Sequence, residues 1–257
     1  MGNLEYERLH ENLKTLGMLK TEEAIDNYLE VAAKSNLSVI QILDYLLCDE
    51  VEDKIQRSLT FRSKLAKFPF RKTVEEFDFS FQPSIDKKTI NSLATLKFVH
   101  NTENIVLLGP PGVGKTHLAI AIGIIALKNG LNVYFSTAAD LIEDLRHHAQ
   151  LGTLKARLGK LSRNKVLIVD EIGYSQFTRD DANLFFQLIS KWYEKSSLIV
   201  TSNKPFKDWG QLFADDVVAS AILDRILHHC TVINIKGESY RIKDRKRVGL
   251  VKNEENQ

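Results

Sequence analysis

The stretch Asn104-Ile-Val-Leu-Leu-Gly-Pro-Pro-Gly-Val-Gly-Lys-Thr116 leads from an apolar run through a glycine-rich turn into an apolar helical segment, His117 to about Lys128. Residues 104–108 read as a buried strand. Gly109 to Thr116 follow as GxxxxGK[ST] in the strand–loop–helix setting that this motif requires. Its glycines let backbone N–H groups turn inward on phosphates. The helix N-terminus adds its positive end. Gly109, Pro110, Pro111, Gly112, Val113, Gly114, Lys115, Thr116 and His117 are therefore the expected ATP phosphate set. Lys115 is expected to reach the β and γ phosphates, and the Thr116 hydroxyl to hold Mg²⁺.

Lys165-Val-Leu-Ile-Val169 is a second apolar strand, ending in Asp170-Glu171. Asp170 falls where an acid holds magnesium. Glu171 falls where a base orients and deprotonates the attacking water. Adjacent strand residues point to opposite faces, so both jobs require the pair to diverge at the strand's end. A third strand, Ser197–Thr201, ends in Thr201-Ser202-Asn203, and the Asn203 amide is placed to bond the attacking water or the γ-phosphate. Arg225 sits near a helix end before the last strand. It is positioned to serve the γ-phosphate of a neighbouring subunit, or else to pair with Asp224 at the surface.

Short apolar runs at Ile105–Leu108, Val133–Phe135, Val166–Val169, Leu198–Thr201 and Thr231–Ile235 alternate with helical stretches. That alternation predicts an α/β fold with a parallel five-stranded sheet and helices on both faces. Residues 1–68 read as a small all-helical domain and 69–257 as the ATPase domain. Leu9, Leu13 and Leu16 mark a first helix that Gly17 can end. Ile25, Tyr28, Leu29 and Ala32 mark a second, closed by Asn36. Val39, Leu43 and Leu46 mark a third, which starts at a Ser38–Gln41 capping box and runs to about Leu65. Along this third helix acidic residues give way to Lys54, Arg57, Arg62 and Lys64, either a solvated face or a docking surface. Residues 69–83, with Phe70, Phe77, Phe79 and Phe81, read as a linker.

The 257 residues, 44% hydrophobic and 26% charged, suit a globular chain. No apolar run approaches the ~18 residues of a membrane span, so no membrane partner is expected. Cys48 and Cys230 read as two reduced core thiols of a cytoplasmic protein. With a net charge of only +2, a nucleic-acid partner depends on where the cations lie.

Gly109–Ala119 (GPPGVGKTHLA), Val166–Tyr174 (VLIVDEIGY), Val200–Asn203, Ile222–His229 (ILDRILHH) and Gly237–Arg241 (GESYR) together resemble the AAA+ superfamily. Within it they resemble the IstB-like helper ATPases of insertion sequences, relatives of DnaC-type replicative helicase loaders. Lys72–Phe81 is similar to that family's lead into the ATPase core. The resemblance spans essentially the whole chain. It implies ATP with Mg²⁺, assembly on DNA as a homo-oligomer, and a transposase of the same element as partner. A helicase loader is the alternative, since the same core serves both. Only some twenty residues follow Ile235, so a C-terminal lid is reduced or absent. A neighbour is then expected to supply much of the nucleotide's second wall, with Arg241 a candidate sensor residue.

No acidic residue lies between Asp144 and Asp170, whereas Arg146, Lys155, Arg157, Lys160 and Arg163 do. Arg157, Lys160 and Arg163 follow at i, i+3, i+6, a helical cation stripe suited to the phosphate backbone of duplex DNA with little sequence preference. The basic tail, Arg241 to Arg247, is a second candidate. A small-molecule P-loop kinase is disfavoured, because no acceptor pocket or arginine-rich lid is evident.

Overall fold

The structure is a computed structural model that describes residues 2–35 and 37–242. It divides into two compact units, residues 1–61 and 62–257.

The first unit contains α1 (Gly2–Thr15), α2 (Leu19–Ser35) and most of α3 (Val39–Ala66). Gly17, at φ +71°, reverses the chain after α1. Ser38 and Gln41 form the expected capping box at the start of α3. Asn36 lies outside the described residues. Leu13, Ile25 and Leu46 form a small core with Met18, Tyr28 and Ile42 packed on it. The buried Glu50 carboxylate accepts from the amides of Lys20 and Thr21 at the start of α2 and from Arg57. The expected apolar stripes are only partly buried, for Leu9, Leu16, Leu29, Val39 and Leu43 are exposed. Three helices of this length enclose little volume, so only one residue of each stripe, Leu13, Ile25 or Leu46, is buried.

The second unit is the α/β domain. Its strands are β1 (Asn104–Leu108), β2 (Val133–Thr137), β3 (Val166–Ile172), β4 (Ser197–Ser202) and β5 (Cys230–Asn234). They form one parallel sheet in the order β2-β3-β4-β1-β5. The helices are α4 (Lys87–Ala94), α5 (Lys97–His100), α6 (Lys115–Lys128), α7 (Ala138–Gln150), α8 (Leu154–Leu161), α9 (Arg179–Trp192), α10 (Trp209–Leu212) and α11 (Asp216–Leu227). Strand residues alternate between two cores, as a pleated strand covered on both faces must. Ile105, Leu107, Val166 and Ile168 join α4 and α6 on one face. Val106, Leu167, Val169 and Val200 join α7, α9 and α11 on the other.

At the start of β1 the buried Asn104 side chain spans three elements. It donates to the Ile226 carbonyl at the end of α11 and accepts from the Leu198 amide of β4, both at 2.9 Å. Beyond β5 the chain returns to the phosphate loop, where the Tyr240 amide donates to the Gly112 carbonyl at 3.0 Å.

Residues 69–83 are no loose strap. Val74, Phe77 and Gln82 are buried, and Phe77 meets the His117 ring edge-on at 5.2 Å. The thiols also differ from expectation. Cys48 is exposed, and Cys230 is half-buried, its thiol pushed up to about 12 by burial. Among the described residues no helix is long and apolar enough to cross a membrane.

Candidate nucleotide site

The phosphate loop is a glycine-built cradle. Gly109, Gly112 and Gly114 have φ of +153°, +83° and +97°, values that side chains rarely adopt. Close approach reinforces the requirement: a Cβ on Gly114 would lie 2.5 Å from the Phe77 ring, and one on Gly112 would strike the Ser239 hydroxyl. The chain before the sheet and the chain after it therefore both press on the loop, and each needs a glycine there.

Lys115 opens α6 and is buried, its Nζ donating to the carbonyls of Gly109 and Pro110 at 2.7 and 2.8 Å. Burial pushes this ammonium below its ordinary range. Asp170 and Glu171 oppose the shift, and Arg241 adds to it. A lysine desolvated in this way gains most from a bound polyanion, because the charge it must carry is otherwise poorly compensated.

The Thr116 hydroxyl lies 2.9 and 3.0 Å from the two carboxylate oxygens of Asp170, joining the start of α6 to β3. Asp170 also accepts from the Thr201 hydroxyl of β4 at 2.5 Å, and that hydroxyl accepts from the Glu171 amide at 2.9 Å. One buried threonine thus fixes both acids. Glu171 has φ +62°, and the β3–β4 register slips by one residue between Val169 and Ile172. This bulge, one residue longer on β3 than on β4, re-aims the chain so that Asp170 stays with Thr116 while Glu171 faces the cleft. β3 therefore runs three residues past Val169, further than its apolar run indicates.

The cleft encloses about 370 Å³, within the usual range for a small-molecule site. The loop from Gly112 to His117, Glu171, Tyr174 and Thr201 line its phosphate end, and Phe70, Phe77, Gln82, Tyr240 and Arg241 line the rest. The linker and the C-terminal segment of the same chain thus wall the cleft opposite the loop. His117 also reaches the linker, its Nε2 at 2.7 Å from the Thr73 carbonyl. Asn203 is half-buried beyond the tip of β4, its Oδ1 enclosed beside Gly173. Glycine cradle, buried lysine and a Thr–Asp oxygen set together fit a nucleotide triphosphate with Mg²⁺.

Arg225 does not line this cleft. Its guanidinium lies 4.6 Å from the Phe186 ring centroid and donates to the Ala221 carbonyl at 2.9 Å. No ion pair with Asp224 forms among the described residues.

The basic stretch is rearranged relative to expectation. Helix α8 ends at Leu161, so Arg163 lies beyond it and no three-residue stripe forms. Arg157 is 13% exposed, bound to Asp144 at 2.6 Å and to the Tyr134 hydroxyl. Arg146 pairs at 2.7 Å with the buried Asp181, which caps α9 through Thr178. These two arginines hold helices together, because each is within reach of a carboxylate from another part of the chain. Lys155, Lys160 and Arg163 are exposed and have no carboxylate partner among the described residues. Lys155 shares a groove between α8 and α9 with Lys191 and Lys195. These two lysines carried no sequence signal, since they lie 36 and 40 positions from Lys155. Of the basic tail, residues 243–247 lie outside the described residues.

Thr201→Val should cost about 1–3 kcal/mol, because it leaves the Glu171 amide without its acceptor and takes from Asp170 one of its two hydroxyl donors. Urea unfolding measures this directly. A midpoint equal to wild type would mean that other partners take over both groups.

The family model described as IstB-like ATP binding protein matches residues 11–248. Over 95% of this chain and 93% of its relative, the sequence is 49% identical to a protein of Pseudomonas aeruginosa described as an insertion sequence IS21 putative ATP-binding protein. A Geobacillus stearothermophilus counterpart from IS5376 is 44% identical over 93% of this chain and 96% of its own. Among solved structures, AMPPCP-bound DnaA of Aquifex aeolicus superposes with a TM-score of 0.55 at 21% identity, covering 74% of this chain and 57% of that one. DnaI superposes at 0.53 and 22%, covering 66% and 90%. The superpositions give the fold as that shared with DnaA and DnaI, and the match along nearly the whole sequence means that the chain belongs to the IstB-like ATP binding protein family.

Proposed function

We propose that this protein is the ATP-dependent DNA-binding helper of an insertion sequence. It assembles on target duplex with ATP, hydrolyses the ATP, and assists the partner transposase in target selection and integration. The observation that carries the ATPase part is the Thr116–Asp170–Thr201 network under a glycine cradle, with Glu171 released to face the cleft. Relatives from insertion sequences, 44–49% identical along nearly their full lengths, favour this reading over a helicase loader.

In this reading the loop amides and Lys115 bind the phosphates, with Lys115 Nζ exchanging the loop carbonyls for phosphate oxygens. Thr116 and Asp170 would hold Mg²⁺, which when bound would neutralise phosphate charge. Glu171 takes a proton from the attacking water, and Asn203 orients that water through its amide. Arg225 acts in trans on the site of a neighbouring subunit. Lys155, Lys160, Arg163, Lys191 and Lys195 meet the DNA backbone, and Arg146 and Arg157 support the helices that carry them.

Glu171→Gln should bind ATP normally while hydrolysis falls by about 10²-fold or more, since the amide takes no proton. Phosphate release measured with and without duplex DNA reads it, and near wild-type turnover would remove Glu171 as the base.

Replacing Lys155, Lys191 and Lys195 together by alanine should weaken binding to all duplex sequences alike. It should also flatten the slope of log affinity against log salt by about 3, at about 0.9 for each phosphate that is no longer neutralised. An unchanged slope would move the DNA to another surface.

Arg225→Ala should bind ATP but lose DNA-stimulated hydrolysis, whereas Lys115→Ala should lose ATP binding itself. Mixed together, the two should recover part of the activity, because each retains the half of the shared site that the other lacks. Co-assembly with no recovery would make Arg225 a structural residue.

A further inference from the structure

At the end of the sheet opposite the phosphate loop, Glu194, His228 and His229 converge. One ligand atom from each lies within 4.8 Å of the others, and this is the one such group of three among the described residues. We propose that it is a binding site for a zinc-class divalent cation.

The three groups come from two chain segments held by a common scaffold. Glu194 follows the last turn of α9, where the Tyr193 amide donates to the Ile189 carbonyl. His228 caps α11, its amide donating to the Asp224 carbonyl. The His229 carbonyl accepts from the Asn104 amide at 2.7 Å, at the point where Asn104 also binds the end of α11 and the start of β4. The ligand-bearing backbone is thus anchored to the sheet.

The imidazoles are oriented as well as close. Their centroids are 4.1 Å apart. The Tyr193 hydroxyl stands 3.0 Å from His228 Nδ1, which leaves Nε2 of that ring open. A hydrogen bond to the far nitrogen is the usual support of a ligating histidine, because it holds the ring and raises its basicity. The neighbouring Cys230 is no part of the set, since its side chain packs into the core beside α11.

Two imidazoles with one carboxylate match the preferences of Zn²⁺ and its late first-row neighbours rather than of Mg²⁺, which prefers oxygen ligands and keeps its water. Three exposed protein ligands leave a coordination position open. A cation here would tie the end of α9 to the end of α11, one helical turn from Arg225. Its binding is independent of the proposed ATPase and DNA activities.

Untagged full-length protein without nucleotide, titrated calorimetrically with Zn²⁺ alone, tests it. One equivalent should bind, and His229→Ala and Glu194→Ala should each weaken that binding tenfold or more. Zn²⁺ should raise the melting temperature of wild type and of Thr116→Ala, whose nucleotide site is altered, but not of His229→Ala. Circular dichroism of the variants checks that they fold. No heat of binding in wild type, or undiminished binding in both folded variants, would overturn the proposal.

Discussion

A single buried carboxylate organises the nucleotide half of this molecule. Asp170 accepts from Thr116 of the phosphate-loop helix and from Thr201 of the adjacent strand, while Thr201 accepts from the next backbone amide, that of Glu171. Three elements distant in sequence are thereby brought to a common point at the carboxyl ends of the strands. A carboxylate 3% exposed is stable there because its oxygens are bonded. Those same oxygens, with the Thr116 hydroxyl, are hard donors suited to Mg²⁺. Stability and chemistry therefore draw on one set of contacts. The left-handed residue next door, Glu171, is held by the hydrogen bond its backbone N–H donates to the Thr201 hydroxyl, so its side chain is aimed by the sheet rather than by a flexible loop.

What the sequence made legible follows from the range of each interaction. Strand, loop and helix around Lys115 are contiguous, and glycine spacing with apolar flanks carries them directly. The edge strands β2 and β5 showed only shorter apolar runs, whereas the inner strands β1, β3 and β4 were visible because a doubly covered parallel strand is a nearly unbroken apolar run. The bulge at Glu171 was not, since it depends on the register of β3 against β4, and both strands read as uninterrupted. Phe77 was legible as an aromatic residue in a linker, but its packing against the face of the loop depends on the tertiary approach to Gly114.

Charge was the least legible property. Arg146 and Arg157 stand in a stretch without acids, and along the chain they look free. Folding brings Asp181 and Asp144 onto them, so the partners lie outside the window in which the cations were counted. Lysines behave in the opposite way here: Lys155, Lys191 and Lys195 meet at one groove although nothing in their spacing joins them. The division is chemically sensible. The planar guanidinium makes several directed bonds to a carboxylate and a phenol at once, as Arg157 does, and suits a structural tie. Ammonium groups on flexible stems stay hydrated at the surface, where a phosphate backbone of variable path can be followed without a fixed geometry.

Arg225 extends this distinction. Unlike Arg146 and Arg157 it has no carboxylate partner among the described residues, and rests instead on the Phe186 ring and one backbone carbonyl. A carboxylate would cancel the field that, in the proposed function, the guanidinium offers to a phosphate on another subunit. An aromatic face and a carbonyl dipole hold the group in place yet leave its full positive charge. The hold is also modest, for a partly exposed cation–π contact contributes about 0.5–1 kcal/mol, far less than the differential stabilisation an arginine in trans gives at a transferring phosphoryl group, about 10³-fold or more in rate. Release from the ring toward a neighbour's site would therefore cost little against what it gains, whereas release from a buried Asp pair would not. The position of Arg225 at the end of α11, outside its own cleft, and the neutral character of its contacts are both compatible with the trans role proposed for it.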